Sequence, residues 1–257
     1  MPNQRTTLGG SIKIHGGVPG ASYDWTLGCV GVSDNHMKEI FAFLPSKMAM
    51  VEIYRGKAME KQYNGSGFVN GKIVKTAEKL IKKGCKYTGK ATGIIPLGYP
   101  MGDLDPKQGV CTDVAIRALR GLNIDLQALL YEDITLHPHR YKKIRRPNPN
   151  IDHRRTRNLK IFFDHNATIL TNKPPALKPQ EWKPGDIVLM DTGIQNGTIY
   201  DHIGIVSKNK NSAGIPLVIN LWTVGMKLNE MELLDGVYPK IVGHYRLHEP
   251  FYYDAIE

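Results

Sequence analysis

The sequence predicts an α+β fold with a mainly antiparallel sheet. Between residues 70 and 166 apolar residues recur at helical spacing, and from 183 to 246 short apolar runs follow one another between turn residues. Helices first and consecutive strands afterwards do not alternate as the βαβ units of a parallel sheet do. A polar stretch containing Asn64-Gly65-Ser66-Gly67 also separates a smaller leading segment from the larger unit. The expected division is 1–56, a linker over 57–70, and a main unit over 71–257. At 257 residues and 41% hydrophobic content, the chain holds enough material for one or two cores.

In the leading segment, Ser11-Ile12-Lys13-Ile14-His15 alternates with period two and reads as a strand. A Gly/Pro loop follows, then a helix over 34–44 capped by Ser33, then a strand from Met48 to Tyr54. In the main unit, Asn70 is a candidate cap for a helix over 71–83 that turns Ile73, Ala77, Leu80 and Ile81 inward and ends at Gly84. A helix over 112–122 places Val114, Ala115, Ala118, Leu119 and Leu122 on one side, with Cys111 at or just before its first turn. Further helices are expected over 125–132 and 156–166, the latter burying Leu159, Phe162 and Phe163. The turn Lys183-Pro184-Gly185-Asp186 feeds Ile187–Met190, and strands follow over 202–207, 216–220 and 241–246.

Composition narrows the function classes. No apolar stretch approaches the roughly 18 residues that cross a bilayer, and the first residues contain no apolar core of a signal peptide. The three cysteines fit no zinc spacing, so free thiols are expected, with no metal and no cofactor. The net charge of +10 attracts anions, and nine Lys/Arg crowd residues 134–164 against Asp152 and Asp164. That block is read either as a solvated face or as a groove for an anionic substrate. Nucleic acid is not the expected partner: before Phe162 the block holds one aromatic, Tyr141, whereas single-strand binders interleave several.

Two Cys/His constellations carry the chemistry. A thiol at a helix start feels unpaired N–H groups and the positive dipole end, which favour thiolate, so Cys111 is a candidate nucleophile. His202, opening a strand, is its candidate base, and Asn220, ending the next strand, can fix the far ring nitrogen. Asp113 and Asp201 flank the pair as alternative orienters or substrate contacts. His153 lies in Asp152-His153-Arg154-Arg155, where an Arg fork suits a substrate carboxylate. In the leading segment His15 is the candidate base for Cys29, which follows Gly28 in a context able to form an oxyanion hole. Cys85, after Gly84 with no local His, reads as structural.

The motifs Tyr99-Pro100-Met101-Gly102-Asp103, Gly109-Val110-Cys111-Thr112-Asp113, Asn150-Ile151-Asp152-His153-Arg154-Arg155, Pro184-Gly185-Asp186, His202-Ile203-Gly204-Ile205-Val206 and Gly243-His244-Tyr245-Arg246 occur in order. Over roughly 72–252 the chain resembles the NlpC-type cysteine peptidases of the papain-like clan, and among them the domain-of-unknown-function family 1287. The resemblance implies a papain-like arrangement of helices and antiparallel sheet. It implies Cys111 as nucleophile, His202 as base, Asn220 as third polar residue and Tyr99 near the thiol. Residues 8–54 resemble the C-terminal half of a YkuD-type L,D-transpeptidase domain, on Ile14-His15-Gly16 and Trp25-Thr26-Leu27-Gly28-Cys29-Val30. That family places several strands ahead of its His-Gly motif and this chain does not, so the implied unit is partial and mostly β. It also has His where Leu27 stands and Arg where Gly31 stands in many members. Both resemblances imply acyl transfer on peptidoglycan stem peptides, by hydrolysis or transpeptidation, in the periplasm or cell envelope. The competing expectation is a non-catalytic wall-binding module that holds anionic polymer through the basic loop.

Overall fold

A computed structural model of the protein describes residues 5–6, 9–10, 14–16, 30–32, 66–122 and 124–247, with side chains from 69 onwards. The chain divides into two compact units near residue 55. In the first, β1 (Arg5–Thr6) pairs antiparallel with β2 (Gly9–Gly10), and β3 (Ile14–Gly16) pairs parallel with β4 (Val30–Val32). Cys29, the helix expected over 34–44 and the strand expected over 48–54 lie outside the described residues, and of His15 only the backbone is described.

In the second unit α1 covers Ser66–Lys82. It begins inside the expected linker, so Asn70 is not a cap. Asn70 is buried in the second turn, and its Nδ2 donates to Asp186 at 2.8 Å. Two-residue strands β5 (Lys86–Tyr87) and β6 (Gln108–Gly109) run parallel and lead into α2 (Cys111–Arg120). Then α3 (Leu126–Leu136) starts at Asp125, whose side chain accepts the Gln127 N–H in N-cap fashion. The basic stretch that follows is irregular up to a single 3₁₀ turn at Asp152–Arg154, and α4 covers Thr156–Asn166.

The sheet has six antiparallel strands in the order β11-β10-β9-β8-β12-β7, where β7 is Thr168–Ile169, β8 Ile187–Asp191, β9 His202–Lys210, β10 Pro216–Asn220, β11 Asn229–Met231 and β12 Lys240–Arg246. The unit is α+β, as expected. Alternate residues of the strands feed two cores. Ile187, Leu189, Ile203, Ile205 and Ile219 pack with α1, α2 and α4 through Ile73, Leu119 and Phe162. Val188, Met190, Val206 and Val218 pack on the other face with Trp182, Leu233 and Leu234. Burial on both faces explains why β8 is a continuous apolar run rather than an alternating one.

One polar knot sits inside this packing. The fully buried Asp186 carboxylate accepts from Lys183 N, Asn70 Nδ2, His244 Nε2 and Arg246 Nε and Nη2, all within 2.9 Å. The His244 ring stacks on Trp182 with centroids 3.8 Å apart. The turn ahead of Asp186 needs glycine: Gly185 has φ +89°, and a Cβ there would meet the Asn70 carbonyl oxygen at 2.2 Å.

Candidate active site

Cys111 is the first residue of α2, with Val110 as N-cap. The Asp113 carboxylate accepts the Val110 N–H at 2.7 Å, which fixes the helix entry. Arg154 then grips Asp113 with two parallel bonds, Nε to Oδ1 and Nη2 to Oδ2, each 2.9 Å. Both side chains are almost completely buried, so this pair clamps α2 to the 152–154 turn. The sequence assigned Asp113 and Arg154 to substrate. The structure pairs them with each other instead.

The other expected substrate contacts have similar fates. Asp152 is buried and accepts the Asn148 N–H at 2.6 Å. Asp201 accepts from Thr192 N and Oγ1 at 2.9 Å and ties the β8–β9 connection. Tyr99 is 39% exposed and lies against Tyr131, with centroids 5.4 Å apart. His153 is 2% exposed and unavailable to a ligand. Burial first, then the Arg154 and Arg120 charges, lower its pKa to about 3. The native state therefore refuses a proton that the unfolded chain takes near 6.5, and stability falls as pH drops below that value. From pH 7 to pH 4 this one group costs roughly 3 kcal/mol, at about 1.4 kcal/mol per unit. His153→Gln is expected to flatten the pH dependence of urea unfolding by about that amount. Equal pH slopes in the two proteins would show that His153 is charged in the fold.

The nucleophile and base candidates do meet the same strand. The Cys111 thiol is buried, and burial raises its pKa to about 11. The Ile203 and Thr112 backbone and the Thr156 side chain hydrogen-bond to it and favour the thiolate, while Asp113 opposes. The helix start was expected to favour thiolate. Burial outweighs it, and the resting group is a neutral thiol. Ile203 is the residue after His202. The His202 ring is 4% exposed and bonds through Nε2 to Asn220 Oδ1 at 3.1 Å. Asn220 Nδ2 donates to Val218 O, so its oxygen faces the ring. Nε2 is therefore the protonated nitrogen, and Nδ1 carries the lone pair. Burial lowers the His202 pKa to about 4, with the Asn220 bond opposing, so the ring is neutral at pH 7. In this resting arrangement, among the described residues, His202 hydrogen-bonds through its ring to Asn220 and not to Cys111.

Two aromatic residues escaped the sequence reading. Trp222 packs edge-on to His202 with centroids 4.6 Å apart. It lies two residues beyond Asn220, where β10 has already ended, so strand alternation does not announce it. Tyr87 pairs in register with Gly109, two residues before the thiol. Burial first, then the neighbouring Cys111 and Asp113, push its phenol up to about 12. Nothing local in the sequence announces Tyr87, because the β5–β6 pairing that delivers it spans a long loop. Cys85 is buried, and Arg117 Nη1 donates to its sulfur at 3.4 Å.

Among known proteins, the uncharacterized protein YijF of Escherichia coli (strain K12) is 39% identical over 158 residues, covering 59% of this chain and 70% of the relative. Among solved structures, NlpC2 from Trichomonas vaginalis aligns at 16% identity and a TM-score of 0.37, over 66% of this chain and 45% of that one. An N-acetylmuramoyl-L-alanine amidase from Bacteroides uniformis ATCC 8492 aligns at 13% identity and a TM-score of 0.41, over 70% of this chain and 99% of that one. The family model described as a domain of unknown function, DUF1287, matches residues 74–247, which span the clamped helix and the whole sheet from β7 to β12. The chain belongs to the DUF1287 family.

Proposed function

We propose that the chain is a cysteine-dependent hydrolase of peptidoglycan stem peptides in the cell envelope, with Cys111 as nucleophile, His202 as base and Asn220 as its orienter. One observation carries the reading. Asn220 holds the Nε2–H tautomer of a neutral imidazole on the residue next to the strand position where the Cys111 thiol rests. A neutral imidazole at the head of the strand whose next residue touches a neutral thiol is a base awaiting its acid. With pKa values near 11 and 4, the thiolate–imidazolium pair lies roughly 10 kcal/mol above the neutral pair before their mutual attraction is counted. Proton transfer therefore accompanies attack rather than preceding it. As sulfur bonds to the amide carbon, Nδ1 takes the thiol proton and then delivers it to the departing amine, leaving a thioester. Water, deprotonated by the same Nδ1, releases the acid and restores the thiol. Trp222 against the ring limits water around the Asn220 bond and keeps the tautomer fixed.

The test is digestion of purified peptidoglycan followed by mass spectrometry. Wild type is expected to release fragments with new amine and carboxyl termini, and Cys111→Ala none. Identical product profiles would remove the proposal. A transpeptidase role for His15 and Cys29 is a separate proposal supported by the sequence motif, and Cys29→Ala in the same assay reads it independently.

A further inference from the structure

The basic loop is built, not slack. Asp133, fully buried near the end of α3, accepts from His137 Nδ1 at 2.7 Å, from Arg140 Nη1 at 3.2 Å and from the Tyr141 hydroxyl. Three donors within eight residues of one buried carboxylate fix the loop as it leaves the helix. Tyr141 is itself 1% exposed. The four cations beyond this anchor, Lys142, Lys143, Arg145 and Arg146, are all exposed. Among the described residues none of the four forms an ion pair, although most other arginines of this unit do. Unpaired like charges held close together repel one another, so an ordered set of four is an unmet demand for anions.

The loop borders a cleft of about 520 Å³ lined by Lys143, Asp191 and residues 193–200. Lys143 Nζ donates to Gly197 O at 3.3 Å and joins the loop to the cleft wall. Asp191, the one carboxylate of the lining, is turned to the Gly193 N–H at 2.8 Å. The lining otherwise offers amide and hydroxyl groups from Asn196, Thr198 and Tyr200. Tyr200 stands two residues before His202. A second route connects the cleft lip to the same ring: Tyr238 OH donates to Thr192 O at 3.3 Å, Tyr238 lies 6.2 Å from Trp222, and Trp222 lies 4.6 Å from His202.

We propose that this cleft is the docking site for a carboxylate-bearing peptide, drawn in by the 142–146 loop and directed past Tyr238 and Trp222 toward His202. The inference rests on the hydrolase reading for its direction, but its test is equilibrium binding. It is therefore made in the Cys111→Ala background, where turnover does not intrude: failure to bind leaves the digestion assay untouched, and failure to digest leaves the binding result standing.

The probe is a fluorescein-labelled peptide carrying three glutamates, with its triglutamine counterpart as the uncharged control, followed by fluorescence anisotropy. The acidic peptide is expected to bind about fivefold or more tightly than the neutral one, with the difference shrinking as salt rises. The double change Lys143→Ala with Arg145→Ala is expected to weaken it about fivefold, the sum of two modest exposed charge contacts. Thr198→Trp, which fills the cleft without changing charge, is expected to weaken it as well. Lys208→Ala, removing an exposed cation of β9 that pairs with Glu78 of α1, is expected to change nothing. Equal binding of the two peptides, an equal loss with Lys208→Ala, or full binding by Thr198→Trp would each overturn the assignment.

Discussion

Replacing His202 with alanine is expected to lower the rate of peptide cleavage by a thousandfold or more, and to change the shape of its pH profile. The thiol titrates near 11, so about one molecule in ten thousand carries a thiolate at pH 7. Without a base, only that fraction attacks. The residual rate of His202→Ala should then climb about tenfold per pH unit from 7 towards 10. Wild type should behave differently because its proposed base is neutral above a pKa near 4. Its rate should hold through neutral pH and fall only as acid protonates the ring. Asn220→Ala should fall between the two, since it frees the tautomer but keeps the base. A His202→Ala protein with the wild-type pH profile would mean that another group takes the thiol proton.

Asp186→Ala is expected to cost about 3–5 kcal/mol of stability, the range for removing one partner of a buried ionic cluster. For a unit of this size that lowers the melting temperature by roughly 10 °C. Burial alone would raise the Asp186 pKa, but hydrogen bonds from His244 and Arg246 outweigh it and hold the carboxyl below its ordinary value. Removing the carboxylate leaves Arg246 only its bond to Glu181 O and deprives His244 Nε2 of its partner, while Nδ1 stays on Thr171 O, and the Asn70 amide loses its acceptor as well. The loss therefore reaches α1 as well as the sheet. Asp201→Asn, whose side chain among the described residues hydrogen-bonds only to Thr192, is the matched control and should shift the midpoint by no more than about 1 kcal/mol. Comparable shifts in the two proteins, read by thermal unfolding, would contradict the view that Asp186 is the hub.

Much of this was legible in the chain. The spacing of Val114, Ala115, Ala118 and Leu119 and of Leu159, Phe162 and Phe163 marked two helices; α2 is nevertheless buried on every side from Cys111 to Leu119, with Asp113 and Arg117 satisfied by ion pairs. Pro184-Gly185 and the apolar runs marked β8, β9, β10 and β12. The pairing of His202 with Asn220 followed from their places at one end of neighbouring strands. What stayed hidden depends on distance along the chain or on burial. Asp113 and Arg154 stand 41 residues apart, and neither sequence neighbourhood names the other, so both were read as substrate contacts. The first turn of α1 was missed because Ser66-Gly67 reads as a turn, whereas the packing of Val69 and Asn70 against the core holds it helical. The charge state of Cys111 was misjudged for a related reason. Its position at a helix start is written in the sequence, but the desolvation that overrides the dipole belongs to the folded core.

That desolvation carries a consequence for how the protein ages. Peroxide and disulfide reagents react with thiolates, and the ladder from sulfenic to sulfonic acid starts there. A sulfur kept protonated and buried is a poor target for stray oxidants, even where oxygen is abundant. Under the proposed function the fold thereby guards its own nucleophile: idle molecules stay reduced, and vulnerability is confined to the moments of turnover.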